Sequence, residues 1–199
     1  MAVQNRKERE RADRHRRIVA VARELAEDQG WDAVTTRRLA DRIEYSQPVL
    51  YGHFPGGKDA IVAAVALEGF AELTTTLRAA VADTGPGHRA AVAALTSAYL
   101  AFAALHPATY TAMFDLAALP FARHDTPAPL HDAFAVLRDA VGPGASGDVA
   151  AGPSGDPDRH AELAWATLHG LATLTRAGRL PPDGAEDRIA LTVDLLAPA

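Results

Sequence analysis

Apolar residues recur along almost the whole chain at spacings of three and four, and the alternating β-branched runs that mark strands are missing. This pattern predicts an all-α protein of about nine helices. Pro86, Pro107, Pro127, Pro143, Pro153, Pro157 and Pro181 divide the second half, because proline lacks an amide donor and clashes with the preceding helical turn. With 199 residues, 48% of them apolar, the chain can bury a substantial core as one large domain or two small ones. It has no cysteine, which removes disulfides, thiolate nucleophiles and zinc-cysteine sites. No uninterrupted apolar run reaches the ~18 residues of a membrane span. The charged N-terminus has no apolar signal-peptide core, so the expected location is cytoplasmic.

The net charge of -5 argues against a polyanionic partner until its distribution is considered. Residues 1–60 hold 12 Lys/Arg against 10 Asp/Glu, whereas the remainder holds 8 against 15. Basic charge concentrates at the start, in Arg6, Lys7, Arg9, Arg11, Arg14, Arg16 and Arg17. A first helix is predicted over residues 14–28, with Ile18, Val21, Ala22 and Leu25 on its buried face and Gly30 at its left-handed cap.

Residues 35–54 contain two helix starts of one design. Thr35 can cap the first through its hydroxyl, with Val34 and Leu39 as the flanking apolar staple; Ser46 repeats this with Tyr45 and Leu50. Helices of about seven residues are not stable alone, so these must pack on their neighbours through Leu39, Ala40, Ile43, Leu50 and Phe54. The result is a helix-turn-helix. Thr35, Arg37, Gln47, Tyr51, His53 and Lys58, left facing outward, can all donate hydrogen bonds to phosphate oxygens. Pro48 in the first turn of the second helix loses only an amide that has no helical partner. A lysine opening the next helix opposes the helix dipole by about 0.3–1 kcal/mol unless an anion binds there.

Residues 30–58 resemble the DNA-binding region of the TetR family of transcription regulators. The residues that carry the likeness are Gly30-Trp31, Thr35, Leu39-Ala40, Ser46, Leu50-Tyr51-Gly52-His53-Phe54 and Lys58. The resemblance implies that Gln47 and Pro48 face bases, with Val49 near a thymine methyl, while Thr35, Arg37, Tyr51, His53 and Lys58 hold phosphates. Gln47 is the expected base reader, since glutamine can pair bidentately with adenine. The basic segment before Arg17 would follow the backbone or enter a minor groove as an arm. Two departures stand out. Glu44 occupies the turn position usually held by glycine, which strains the backbone if a left-handed conformation is needed. The Pro55-Gly56-Gly57 link is also one residue longer than usual.

The resemblance divides the chain into a DNA-binding domain, residues 1–57, and a helical effector-binding and dimerisation domain, residues 58–199. In the latter, Trp165-Ala166-Thr167-Leu168-His169-Gly170 resembles the signature of the WHG domain found in one branch of the family. Trp165 and His169 share a helix face; as plain core residues they would pack and bond a carbonyl, with Gly170 admitting a close helix contact. Aromatic and polar residues cluster at Tyr99, Phe102, His106, Tyr110, Met113, Phe114 and Phe121. Such a stripe can be core, or the wall of a largely apolar pocket oriented by Tyr99, Tyr110 and His169. Residues 142–158, rich in Gly, Pro, Ser and Asp, read as a loop. Two last helices, over residues 158–177 and 183–196, carry Leu163, Leu168, Leu171, Ala172, Ile189, Val193 and Leu196. The resemblance makes them a four-helix interface between two subunits.

No H-E-x-x-H, G-x-S-x-G or P-loop is present, and the His124-Asp125 and His131-Asp132 pairs lack ligand spacing. No catalytic residue, metal or cofactor is therefore expected. The expected protein is a homodimeric repressor that holds a palindromic double-stranded operator and is released by a small, mostly apolar effector. Its rival is a helical sensor whose DNA-binding surface has degenerated, with Glu44 as the motivating residue.

Overall fold

A computed structural model describes residues 2–121, 124–142 and 156–198. Among them it shows nine α-helices and no strand, in agreement with the all-α expectation. They are α1 (Ala2–Gln29), α2 (Thr36–Ile43), α3 (Gln47–His53), α4 (Gly57–Ala82), α5 (His88–Leu105), α6 (Pro107–Thr111), α7 (Ala128–Val141), α8 (Pro157–Arg176) and α9 (Ala185–Leu196). A 3-10 turn, Trp31–Ala33, follows α1, and a π-helical turn, Ala112–Leu116, follows α6. Most of the loop expected over 142–158 lies outside the described residues.

The chain forms two compact units. The first comprises Met1–Gly69 and His106–Pro120; the second comprises Phe70–Leu105 and Phe121–Ala199. Residues 1–57 thus fall wholly within the first unit, to which the first half of α4 and all of α6 also belong.

α1 begins far earlier than its apolar pattern indicated. Its polar first half is held by contacts one turn apart: Arg6 with Glu10 at 3.5 Å, Arg16 with Asp13, and Arg9 Nε donating to the Asn5 carbonyl at 3.1 Å. Spacings of three and four place such groups on one helix face. The basic segment before Arg17 is therefore helix. The buried stripe of α1 is Ile18, Val19, Ala22, Leu25 and Ala26, while Val21 is only half-buried. Gly30 ends the helix with φ 78 but an extended ψ of 164, so its positive φ is as expected and its left-handed cap is not.

α6 is fastened to α1 by contacts about 80 residues apart in sequence. The Glu27 carboxylate accepts hydrogen bonds from the Ala108 and Thr109 amides, both at 2.9 Å, and from the Thr109 hydroxyl at 2.7 Å. The first-turn amides of a helix have no partner within it, and here a carboxylate satisfies two of them. Trp31 Nε1 donates to the Ala108 carbonyl at 2.8 Å beside them. Gly69 of α4 closes this part of the unit. A Cβ there would lie 2.7 Å from Thr109 Cγ2 and 2.8 Å from Met113 Sδ. The thioether of Met113 can swing aside, but Thr109 is pinned by Glu27. Gly69→Ala is accordingly expected to lower stability by about 1–3 kcal/mol, read as a shift in the denaturation midpoint.

In the second unit α5 is central, packing on α7, α8 and α9. Val92, Leu95, Tyr99 and Phe102 form its buried face. Arg89 ties the start of α5 to the end of α9, pairing with Asp194 and donating to the Ala197 carbonyl at 3.0 Å. Asp156 caps α8 through the Asp158 amide at 3.0 Å, with Pro157 in the first turn. α4 and α5 are long and apolar enough to cross a membrane by composition alone. Here half of the most apolar stretch of α4 and a third of that of α5 are buried inside the protein.

Candidate nucleic-acid interface

The helix-turn-helix forms as its residues dictate. Val34, Leu39, Ala40, Ile43, Leu50 and Phe54 are all buried, so both short helices owe their stability to the core beneath them. Thr35 Oγ1 accepts from the Arg38 amide at 3.2 Å and caps α2. Ser46 does not act in the same way: its carbonyl takes the Val49 amide at 3.0 Å, but its hydroxyl makes no capping bond. Pro48, already lacking an amide, removes one of the donors that such a cap would serve.

Glu44 closes α2 at φ 59 and ψ 37, the one left-handed non-glycine residue among those described. A side chain in this conformation costs roughly 1–2 kcal/mol, and glycine avoids the cost. Glu44→Gly should therefore raise the melting temperature by a few degrees. By removing an anion beside the expected DNA surface, it should also tighten DNA binding most at low salt.

Gln47, Pro48 and Val49 are exposed in sequence at the start of α3, and Tyr51 is 48% exposed. An exposed valine and tyrosine next to buried Leu50 mark a face that is not used for folding. Tyr51 leans on the link to α4, where a Cβ at Gly57 would be 3.5 Å from its Cε1. The two arginines of α2 divide their roles. Arg38 is held by the Gln29 side chain at 2.7 Å and the Ala33 carbonyl at 3.2 Å. Arg37 is exposed and makes no hydrogen bond or ion pair among the described residues.

Lys58 has a partner that the sequence does not show. Its Nζ donates to the Trp31 carbonyl at 2.6 Å, so the lysine is partly buried and already fastens the start of α4 to the turn after α1. The cost of a cation at this helix start is offset within the protein, and a phosphate is not required to explain it. His53 is half-buried, with the His15 ring 6.4 Å away; His15 in turn stacks on Phe54 at 4.5 Å. Burial, then Arg11, Arg14 and His15, push the His53 imidazole below its usual pKa.

The residues expected to hold an effector fall in both units. Tyr99, Phe102, Trp165 and His169 belong to the second, and His106, Tyr110, Met113 and Phe114 to the first. Tyr99, Phe102, Tyr110 and Met113 are each at most 3% exposed, as core residues would be. Trp165 packs edge-to-face with Phe121 at 4.8 Å and at a tilt to Phe134 at 6.2 Å, ring centre to ring centre. Phe134 was not anticipated, because one aromatic in a helix gives no periodic signal. Gly170 serves no close helix contact among the described residues, since a Cβ there would meet none of them within 4 Å. The second unit contains a cavity of about 460 Å³, lined by Arg78, His88, Asp139 and small apolar residues from α4, α5 and α7.

Comparison with known proteins bears on both units. Residues 18–65 match the family model for bacterial regulatory proteins of the tetR family. Residues 92–196 match that for the tetracyclin repressor-like C-terminal domain. A stretch of 37 residues is 46% identical to the tetracycline repressor protein class G of Vibrio anguillarum, covering 19% of this chain and 18% of that protein. The fold is similar to that of a protein of unknown function from Rhodococcus sp. RHA1, with a TM-score of 0.75 and 30% identity over 92% of each chain. It is also similar to a TetR variant from Acinetobacter baumannii AYE in complex with minocycline, with a TM-score of 0.61 and 21% identity over 90% of this chain and 91% of that one.

Proposed function

Since the chain belongs to the TetR family of bacterial regulatory proteins and is a regulator rather than an enzyme, we propose that it represses by occupying a palindromic operator as a homodimer and leaves it on binding a small effector. The observation that carries the proposal is the exposed run Gln47-Pro48-Val49 with Tyr51, standing over the buried helix-turn-helix core. In this reading Gln47 reads a base, Pro48 and Val49 approach the groove, and Thr35, Arg37, Tyr51 and His53 hold phosphates. Thr35 keeps its hydroxyl proton for a phosphate, because its oxygen is the acceptor in the cap. Lys58 contributes charge from the position where it is already fastened. A DNA-reading role places the protein with the chromosome, in the cytoplasm.

Four exposed leucines favour dimerisation through the last two helices. Leu163 and Leu174 lie on α8, and Leu191 and Leu195 on α9; Leu163, Leu191 and Leu195 are each about two-thirds exposed. The stripe expected from sequence is partly spent inside the chain, since Leu168, Ala172 and Val193 are buried. A two-fold dimer covers such a surface and sets two recognition helices one DNA turn apart, about 34–36 Å or a multiple of it. Leu191→Glu with Leu195→Glu should give a folded monomer by sedimentation, with a large loss of operator affinity. A dimer of unchanged stability would place the interface elsewhere.

The effector would be small and mostly apolar, held in the second unit by Tyr99, Phe102, Trp165 and His169; His106, Tyr110, Met113 and Phe114 belong to the first unit. Support comes from the π-helical turn that carries Met113 and Phe114, because such turns recur at functional sites, and from the Tyr110–Phe114 ring pair at 4.6 Å. Residues 106–120 leave the second unit in sequence yet pack with the DNA-reading unit. A ligand that favours another position of this segment would shift the population away from the DNA-bound form.

A further inference from the structure

α3 ends against a concentration of positive charge. Arg11 Nη2 donates to the Gly52 carbonyl at 3.5 Å, the His15 ring lies 6.4 Å from that of His53, and Arg14, one turn further along α1 than Arg11, adds its positive field at His53. Positions 11, 14, 15 and 18 share one face of α1, so the stripe that is apolar at Ile18 turns cationic where it reaches the end of the recognition helix. A helix C-terminus carries about half a negative charge, which a single arginine already balances. Two guanidiniums exceed it. The carboxylates nearest in sequence are engaged elsewhere, Glu10 with Arg6 and Asp13 with Arg16. Arg14 makes no hydrogen bond or ion pair among the described residues.

We propose that α1 carries a phosphate seat of its own, formed by Arg11 and Arg14 beside His53, which grips a backbone phosphodiester past the C-terminal end of the recognition helix. The proposal rests on the DNA-binding reading and adds two contacts to it, on a helix that sequence alone did not extend so far. A guanidinium pair suits a phosphodiester, since each can donate to the oxygens in fork geometry.

Proton uptake follows from the same cluster. The charged and titratable groups acting on His53 are Arg11, Arg14 and His15, all from α1, and together with burial they favour its neutral form in the unbound protein. A phosphate in the seat offsets part of that positive field and raises the proton affinity of the ring. Binding then favours proton uptake at His53, so operator affinity falls as pH rises through the histidine range, by at most about tenfold per unit for each copy of His53. Folding has the opposite sign. A base whose folded pKa lies below its unfolded value stabilises above that value and loses this contribution as pH falls, so the unbound protein should gain stability over the interval in which the complex weakens.

The test is operator binding by the full chain and by the double variant Arg11→Gln, Arg14→Gln, across pH 6–8 and several salt concentrations, with melting temperatures recorded alongside. Calorimetry in two buffers of different ionisation enthalpy reads the proton directly. The seat predicts that the double variant melts as the parent does, binds about tenfold or more weakly, and loses about 0.9 from the salt slope for each phosphate released. Its pH slope should also shrink. Unchanged affinity, salt slope and pH slope would overturn the seat while leaving the DNA-binding reading intact. A fall in melting temperature with an unchanged salt slope would overturn it too, showing that Arg11 only caps α3. If the parent bound no DNA at low salt, the DNA-binding reading would fail and the seat with it.

Discussion

Replacing Glu27 by alanine is expected to lower the melting temperature by roughly 6–12 °C and to blunt the release of DNA by an effector. The carboxylate serves three donors, the Ala108 and Thr109 amides and the Thr109 hydroxyl. Removing it leaves partly buried amides without a partner, at a cost of about 3 kcal/mol, which converts to that range for a chain of this length. The functional consequence follows from the position of the bonds. Residues 106–120 join the DNA-reading unit through α1, so loosening them should let the effector site move without moving the recognition helix. Glu27→Gln, which keeps one carbonyl oxygen, should lose less than half as much. Thermal melts and effector titrations of preformed operator complexes would measure both effects. A Glu27→Ala protein that melts normally and releases DNA normally would show that the anchor neither stabilises nor couples.

The second large effect is expected at Gln47. Gln47→Ala should weaken the operator complex by about 1–3 kcal/mol per half-site, roughly 5- to 150-fold, and leave random DNA nearly unaffected. Gln47 is exposed at the start of α3, so its removal should not change stability. Equal losses on operator and random duplex would show that it contacts the backbone rather than a base.

The helical class and the helix-turn-helix were legible because both depend on local signals. Spacing of apolar residues marked α2 and α3, and the buried Leu39, Ile43, Leu50 and Phe54 are those the pattern indicated. Glu44 was equally visible, since a non-glycine at a left-handed turn is a local conflict, and the structure places it at φ 59. Long-range fastenings were not visible. Nothing in the sequence near Glu27 or Trp31 indicates a partner at Ala108, some 80 residues away. Lys58 shows the limit most clearly. Its place at a helix start points to an anion, and nothing there reveals the bond it also donates to the carbonyl of Trp31. The early start of α1 escaped notice because that helix depends on charge pairs rather than on an apolar face.

Operator titration tests most directly whether this chain reads DNA sequence. Purified protein would be titrated into labelled duplex from the region flanking its own gene, against random duplex of equal length, at several salt concentrations. A sequence reader binds the flanking duplex selectively, with the logarithm of its affinity falling linearly and steeply with the logarithm of salt. Binding equal to that of random duplex, or none at low salt, would contradict that role.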